Sequence, residues 1–287
     1  MTTEAPPVNI APDLTEITGL AAFAQETLAF LRRWLVQLQR RPATLVAGVL
    51  QPLMWLLLFG ALFRNLPPDL LGSGQSYVQF LTAGIVVFTA FSGALNAGLP
   101  MMFDREFGFL NRMLVAPLVS RFSIVLASAL FIALLSLVQT VALILAATAL
   151  GAPLPSAAGL GAIALVVVVL VLGFAIVSLG FAFALPGHQE LLALIFLINL
   201  PLLFSSTALA PLKLMPGWLQ WIASCNPLTW AIEPIRYAYS HPTWHLTDSV
   251  LTAPWGDLSF GGALLGLLIF AVTGAIAIRG TLQRGMA

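Results

Sequence analysis

The sequence predicts an all-α polytopic membrane protein: six transmembrane helices led in by an amphipathic helix, with a short surface helix inside and broken, re-entrant helices outside. Three observations predict it. Hydrophobic residues make up 60% of the 287 and charged residues only 8%, where soluble domains carry ~45–50% and ~25%. Six apolar runs, roughly 43–63, 77–99, 122–150, 157–185, 189–211 and 258–279, reach the ~20 residues that cross ~30 Å of hydrocarbon as helix. With the amino terminus inside, the inner side carries Arg32, Arg33, Arg40, Arg41, Arg105, Arg112, Arg121, Arg279 and Arg284, and the outer side only Arg64, Lys213 and Arg236. That asymmetry satisfies the positive-inside rule. It makes both termini and the Asp104–Arg121 loop cytoplasmic in a bacterial inner, plasma or equivalent membrane.

Taken in order, residues 1–13 are Pro-, Thr- and Ala-rich and read as a disordered tail. No short apolar core precedes a cleavage site, so no signal peptide is expected. Residues 14–42 form an amphipathic interface helix, with a stripe of Leu28, Leu31, Leu35 and Leu38, Trp34 beside it, and Arg32, Arg33, Arg40 and Arg41 as its charge. The remainder, 43–287, is the six-helix domain. Between the second and third runs, Asp104, Arg105, Glu106, Arg112 and Arg121 crowd into eighteen residues, with Phe107, Leu110, Met113 and Leu114 at helical spacing. Topology alone would need the arginines but neither the acids nor the apolar stripe, so the loop reads as a docking element.

The third and fourth runs exceed the spanning minimum, which predicts tilt. Tight turns are expected at 150–157 and 186–190. In the fifth run, Pro201 removes a backbone donor next to Asn199 and ahead of Ser205-Ser206-Thr207. The outer segment 212–257 holds two apolar stretches too short to span, broken at Asn226-Pro227 and at Pro234, and five of the seven tryptophans. Tryptophans gather where helices meet the headgroups.

Several chemistries are excluded. The one lysine, Lys213, follows Ala-Pro-Leu, so no Walker A loop exists and the chain cannot hydrolyse ATP by that route. It is not an enzyme by itself: the six runs hold no Asp, Glu, Lys or Arg apart from Glu190 and Arg279 at their ends, which also argues against an ion-coupled carrier. A net charge of +1 argues against nucleic acid. The single Cys225 rules out an internal disulfide and reads as a buried thiol. His241 and His245 flank a proline and lack a third ligand, so no metal is expected. The polar residues within runs, Asn96, Gln139, Thr140, Thr148, Ser178, Asn199, Ser205, Ser206 and Thr207, fit helix packing or the wall of a pathway. Glu233 and Arg236, three apart, are expected to pair.

These features resemble the membrane subunit of an ABC-2 type exporter, the drug- and polysaccharide-export permeases. Phe30-Leu31-Arg32-Arg33, Arg41-Pro42, Gln51-Pro52-Leu53 and Phe59-Gly60-x-x-Phe63 are similar to the family's first helix and first span. Arg105-Glu106-x-Gly108 followed by Ala116-Pro117-Leu118-Val119-Ser120-Arg121 is similar to its inner loop. Pro211, Met215-Pro216-Gly217-Trp218-Leu219, Asn226-Pro227-Leu228-Thr229 and Glu233-Pro234-Ile235-Arg236 resemble its outer region, and the likeness runs from about 28 to 280. Pro234 is the departure, since an unbroken helix into Arg236 would be more usual.

The resemblance implies a type V exporter-like fold, with a coupling helix at 100–118 and outer re-entrant helices at 212–240. It implies a second permease subunit, a homodimer, and two copies of an ABC ATPase that carry the ATP and Mg; no cofactor binds this chain. Docking to the ATPase would fall to Arg32, Arg33, Asp104, Arg105, Glu106, Gly108, Arg112, Pro117 and Arg121. The pathway would use Asn96, Asn199, Ser205, Ser206 and Thr207, and the outer cap Trp218, Trp221, Asn226, Pro227, Glu233 and Arg236. The function implied is ATP-driven export of an amphipathic or lipid-like substrate. The alternatives are a membrane scaffold recruiting a soluble partner, and, third, a gradient-driven carrier.

Overall fold

A computed structural model of the protein describes residues 19–40, 42–65, 67, 75–108, 119–120 and 122–285. The tail predicted at 1–13 and most of the docking loop, with Arg112, Pro117 and Arg121, lie outside the described residues.

The first helix, α1 (Leu20–Arg40), buries Ala22 and Thr27 and stacks Trp34 on Phe131, ring centroids 5.8 Å apart. The predicted leucine stripe is not its packed face. Leu28 and Leu35 stay 62% and 37% exposed, while Phe30 meets the core. The helix therefore has two apolar edges, one for protein and one left free.

Helix α2 (Pro42–Leu62) opens on a proline, which loses no helical hydrogen bond there, and carries Pro52 inside. It leans on α3 (Tyr77–Leu95) through a ladder of rings, Trp55, Phe59, Phe63, Tyr77 and Phe80. Helix α3 is capped by Ser76, whose hydroxyl accepts from Gln79 N, and is the most buried element. Small residues permit this. A Cβ at Gly84 would lie 2.3 Å from the Ala208 carbonyl oxygen, so only glycine admits that crossing backbone.

After a break at Asn96-Ala97 the chain resumes as α4 (Gly98–Glu106). The long helices α5 (Phe122–Ala149) and α6 (Ala157–Ala184) follow the predicted third and fourth runs to within a residue. At 28 residues each they measure roughly 42 Å, well beyond the hydrocarbon thickness. Gly151, at φ +97°, makes the turn between them.

Helix α7 (His188–Phe204) is shorter than the predicted 189–211: it has 17 residues and ends where Ser205–Ala208 turn. Pro201 starts that ending, and the Asn226 amide completes it by donating to the carbonyls of Leu202 and Ser205 at 2.8 and 2.9 Å. These carbonyls would otherwise be orphaned at a helix end.

The segment after α7 forms a 3-10 turn (Leu212–Leu214), α8 (Gly217–Ser224) and α9 (Pro227–Ser240). Pro234 does not break α9, contrary to expectation. Its missing N–H frees only one carbonyl, while Asn226 as N-cap and Pro227 in the first turn hold the helix from below. The all-α expectation also needs correction. Between α9 and the last helix, β1 (Ser249–Ala253) pairs antiparallel with β2 (Gly256–Ser259), turned by Pro254-Trp255 with Gly256 at φ +133°.

Helix α10 (Phe260–Gly285) packs along α6 in the same direction. Glycines set the spacing: a Cβ at Gly180 would lie 2.4 Å from Ile278, and one at Gly274 2.8 Å from Val177.

Five helices among the described residues are long and apolar enough to cross a membrane: α2, α3 with its continuation α4, α5, α6 and α10. Helix α7 runs through the same bundle but is shorter. Two ends result. One gathers Arg33, Asp104, Arg105, Glu106 and His188; the other gathers Tyr77, Ser156, Pro242 and Trp244, with the hairpin behind them.

Candidate functional site

At the charged end, α4 is fastened to its neighbours by its last residues. The Arg105 guanidinium donates to four carbonyls at the end of α6, those of Ala182, Phe183, Leu185 and Pro186, at 2.9, 3.3, 2.5 and 2.8 Å. The end of a helix leaves carbonyls unpaired and carries partial negative charge, so a cation belongs there. Glu106 does the converse at the start of α7. It accepts from the His188 backbone N–H and meets the His188 ring, both at 2.7 Å. Asp104, half a turn back, lies 3.7 Å from Arg33 of α1. Gly108 follows at φ +72°, a conformation side chains avoid.

Of the residues expected to dock a partner, Arg105 and Glu106 are thus engaged inside the chain, and Asp104 ties α1 to α4. Glu26 of α1 also accepts from the Ser120 backbone at 3.2 Å, bracketing the loop from its other side. Arg32 and Arg40 line one side of α1 with Gln37. His188, read from sequence as part of a turn, is the partner that reasoning missed; a carboxylate and a helix start eighty residues apart give no local signal.

The second feature is a groove of about 330 Å³ between α2, α3, α5 and α7. Its wall carries Trp55, Phe88 and Phe196, the amides of Gln51, Asn96, Gln139 and Asn199, and the hydroxyls of Thr89, Ser92 and Ser136. No charged side chain is among the described lining. Ser92 and Asn199 face each other across it at 3.4 Å. Gln139 fits because α2 offers Gly48 opposite, where a Cβ would lie 2.5 Å from the amide nitrogen.

Asn96 and Asn199 of the expected pathway set therefore share one groove. Ser205, Ser206 and Thr207 do not line it. They form the α7 ending, with Ser206 and Thr207 buried and Thr207 N donating to the Thr229 hydroxyl. Gln51, Trp55, Phe88, Ser92 and Phe196 were not anticipated. A signal existed for two helices: Gly48, Gln51, Pro52 and Trp55 of α2, and Phe88, Ser92 and Asn96 of α3, recur at helical spacing as mixed polar and aromatic faces.

At the opposite end, the expected pair of Glu233 and Arg236 forms and is buried, both side chains 9% exposed. Arg236 also donates to the Thr207 carbonyl at 2.8 Å and lies 3.8 Å over the Phe80 ring. Trp218 and Trp221 of α8 are exposed. Cys225, expected to be buried, is exposed beyond them. It caps the end of α8 on the turn from which Trp221 also points outward, so the protein core never reaches it.

A sequence model described as ABC-2 type transporter matches residues 25–239. The chain belongs to that family. The permease is 54% identical to the putative transport permease ycf38 of Porphyra purpurea, over 90% of this chain and 89% of the relative. It is 26% identical to the probable doxorubicin resistance ABC transporter permease protein DrrC of Mycobacterium tuberculosis, over 82% and 85% of the two chains. It is 28% identical to the daunorubicin resistance ABC transporter permease protein DrrB1 of Streptomyces coeruleorubidus, over 75% of each. Membrane subunits of this family are transporter permeases rather than enzymes, and generally work with an ABC ATPase subunit. The permease match spans α1 through α9 and so includes both the charged end and the groove.

Proposed function

We propose that this permease exports an amphipathic or lipid-like substrate, driven by two copies of a separate ABC ATPase that bind ATP and Mg. Two copies of the chain side by side would form the pathway, with both termini and the charged end cytoplasmic. Helix α7 would be the sixth crossing, its 17 residues reaching ~25 Å, with the Ser205–Ala208 turn completing the passage at the outer interface.

The groove is the observation that carries the reading. A wall of aromatic rings, amides and hydroxyls without charge suits a molecule with an apolar body and a few hydrogen-bonding groups. Two relatives are named for resistance to doxorubicin and daunorubicin, which fits a cargo of flat rings and polar substituents. Energy would enter through the segment after Gly108, to which the sequence assigns the docking residues Arg112, Pro117 and Arg121.

The test is affinity capture of the full chain from its own membrane, followed by mass spectrometry and an ATPase assay. A co-purifying P-loop ATPase, lost from an Arg112→Glu variant that still inserts, is the expected result. A monodisperse chain without any ATPase would overturn the reading. With the ATPase in hand, Asn199→Leu should raise the substrate concentration for half-maximal ATPase stimulation; an unchanged value would remove the groove from the pathway.

A further inference from the structure

We infer that Arg105 and Glu106 are positioning residues that lock α4 to the α6–α7 turn, so that α4, the end of α6 and the start of α7 move as one body. Only what drives that body rests on the reading as an ATP-driven permease; the lock itself is built from this chain's own contacts.

The end of α6 offers unpaired carbonyls and the start of α7 unpaired N–H groups, and the two lie four residues apart. One anchor of a single charge could satisfy only one of them. Successive side chains on a helix point about 100° apart, so the adjacent cation and anion of Arg105-Glu106 reach both. Arg105 takes four carbonyls, and Glu106 takes the His188 N–H and ring. Phe103, on the same short helix, places its ring 5.1 Å from that of His188.

The other end of α4 is fastened to α6 as well. At the Asn96-Ala97 break the Ser178 hydroxyl donates to the Leu95 carbonyl and accepts from Gly98 N. Gly98 sits so close that a Cβ would lie 2.5 Å from the Ser178 carbonyl oxygen. A nine-residue helix held at both ends has no freedom of its own.

Helix α7, by contrast, buries only Leu191, Ile195 and Leu203, so its sides restrain it little. It carries Phe196 and Asn199 into the groove, and Asn199 lies eleven residues, or roughly 16 Å, from His188. A displacement of α4 would be delivered through one short helix to the groove wall.

The lock is testable in the full chain in nanodiscs, in a Cys225→Ser background with spin labels at Phe107→Cys and Leu197→Cys, both exposed positions. Pulsed dipolar spectroscopy should give one narrow distance distribution for the otherwise native chain. Arg105→Gln and Glu106→Ala should broaden it, whereas Glu106→Gln, which keeps the acceptor for His188, should leave it narrow. An equally narrow distribution in Arg105→Gln overturns the lock, with or without an ATPase.

In the complex with the captured ATPase, substrate moved per ATP should fall about five-fold or more in Arg105→Gln, the scale of ordinary coupling between sites. Unchanged coupling with a broadened distribution overturns the transmitting role. Dissociation of the ATPase from the variant would instead assign Arg105 to docking. Failure to find any ATPase would count against the proposed function, while the distance measurement would still decide the lock.

Discussion

Each end of the bundle sets an arginine against backbone carbonyl oxygen at a helix ending, one carbonyl at one end and four at the other, and the two arrangements differ in what surrounds them. Arg236 is buried with Glu233, donates to the Thr207 carbonyl and lies over Phe80. Arg105 sits half-buried with four carbonyls and, among the described residues, no carboxylate within ion-pair distance, Glu106 being turned toward His188. In the buried case the charge must be matched or it cannot stay, because a lone ion in a low dielectric is expensive. In the half-buried case water remains available to the guanidinium, so the charge can stay on neutral carbonyls without a carboxylate to match it. One end is a knot held by a matched charge pair and the other a lock held by backbone carbonyls, the division expected if force enters at the second and the first holds the fold.

Breaking the knot should have the largest effect. Arg236→Ala strands Glu233 and should cost about 3–5 kcal/mol, read as a large drop in the melting temperature of the detergent-solubilised chain or as loss of folded yield. Replacing both by apolar residues, Glu233→Leu with Arg236→Met, should cost much less, and equal losses would refute the claim that stranding the charge is what matters. Next comes Asn226→Ala, which removes an N-cap from α9 and the amide that ends α7. About 1–2 kcal/mol is expected for the cap, with faster hydrogen exchange at Ser205–Ala208.

Arg105→Ala should sharpen the contrast rather than repeat it. Exchange should quicken at the α6–α7 turn while the melting temperature moves less than in Arg236→Ala, since water can satisfy the freed carbonyls. The smallest effect is reserved for Arg33→Gln. Its partner Asp104 is 3.7 Å away and the arginine is more than a third exposed, so 0 to about 1 kcal/mol is expected, weakening further with salt.

Legibility from sequence followed how local each cause is. The boundaries of α5 and α6 could be read because uninterrupted apolar runs end at Gly151 and at Pro186-Gly187, which stop helices by themselves. The ending of α7 could not, because the amide that closes it arrives from Asn226, more than twenty residues on. The Glu233–Arg236 pair could, being three apart on one helix; that the same arginine would reach Thr207 and Phe80 could not. Pro234 misled because a proline was read as a break, where a well-capped helix absorbed one missing hydrogen bond. The hairpin of Ser249–Ser259 went unseen because two strands of five and four residues leave too short an alternation to stand out. At the candidate sites, the residue types were visible and their partners were not: Asn96 and Asn199 could be marked as polar in apolar runs, but only packing brought them into one groove with Gln51 and Gln139.

By itself the sequence determined that this chain belongs in a membrane and how many apolar runs it has, because hydropathy acts residue by residue. Tertiary structure alone decided which charged residues turn inward. Arg105 and Glu106 looked like a surface for something else, and became the clasp between three helices because unpaired helix ends of opposite polarity happened to meet beside them. Unsatisfied backbone groups at helix ends are invisible in a sequence, since where they fall depends on how the helices pack.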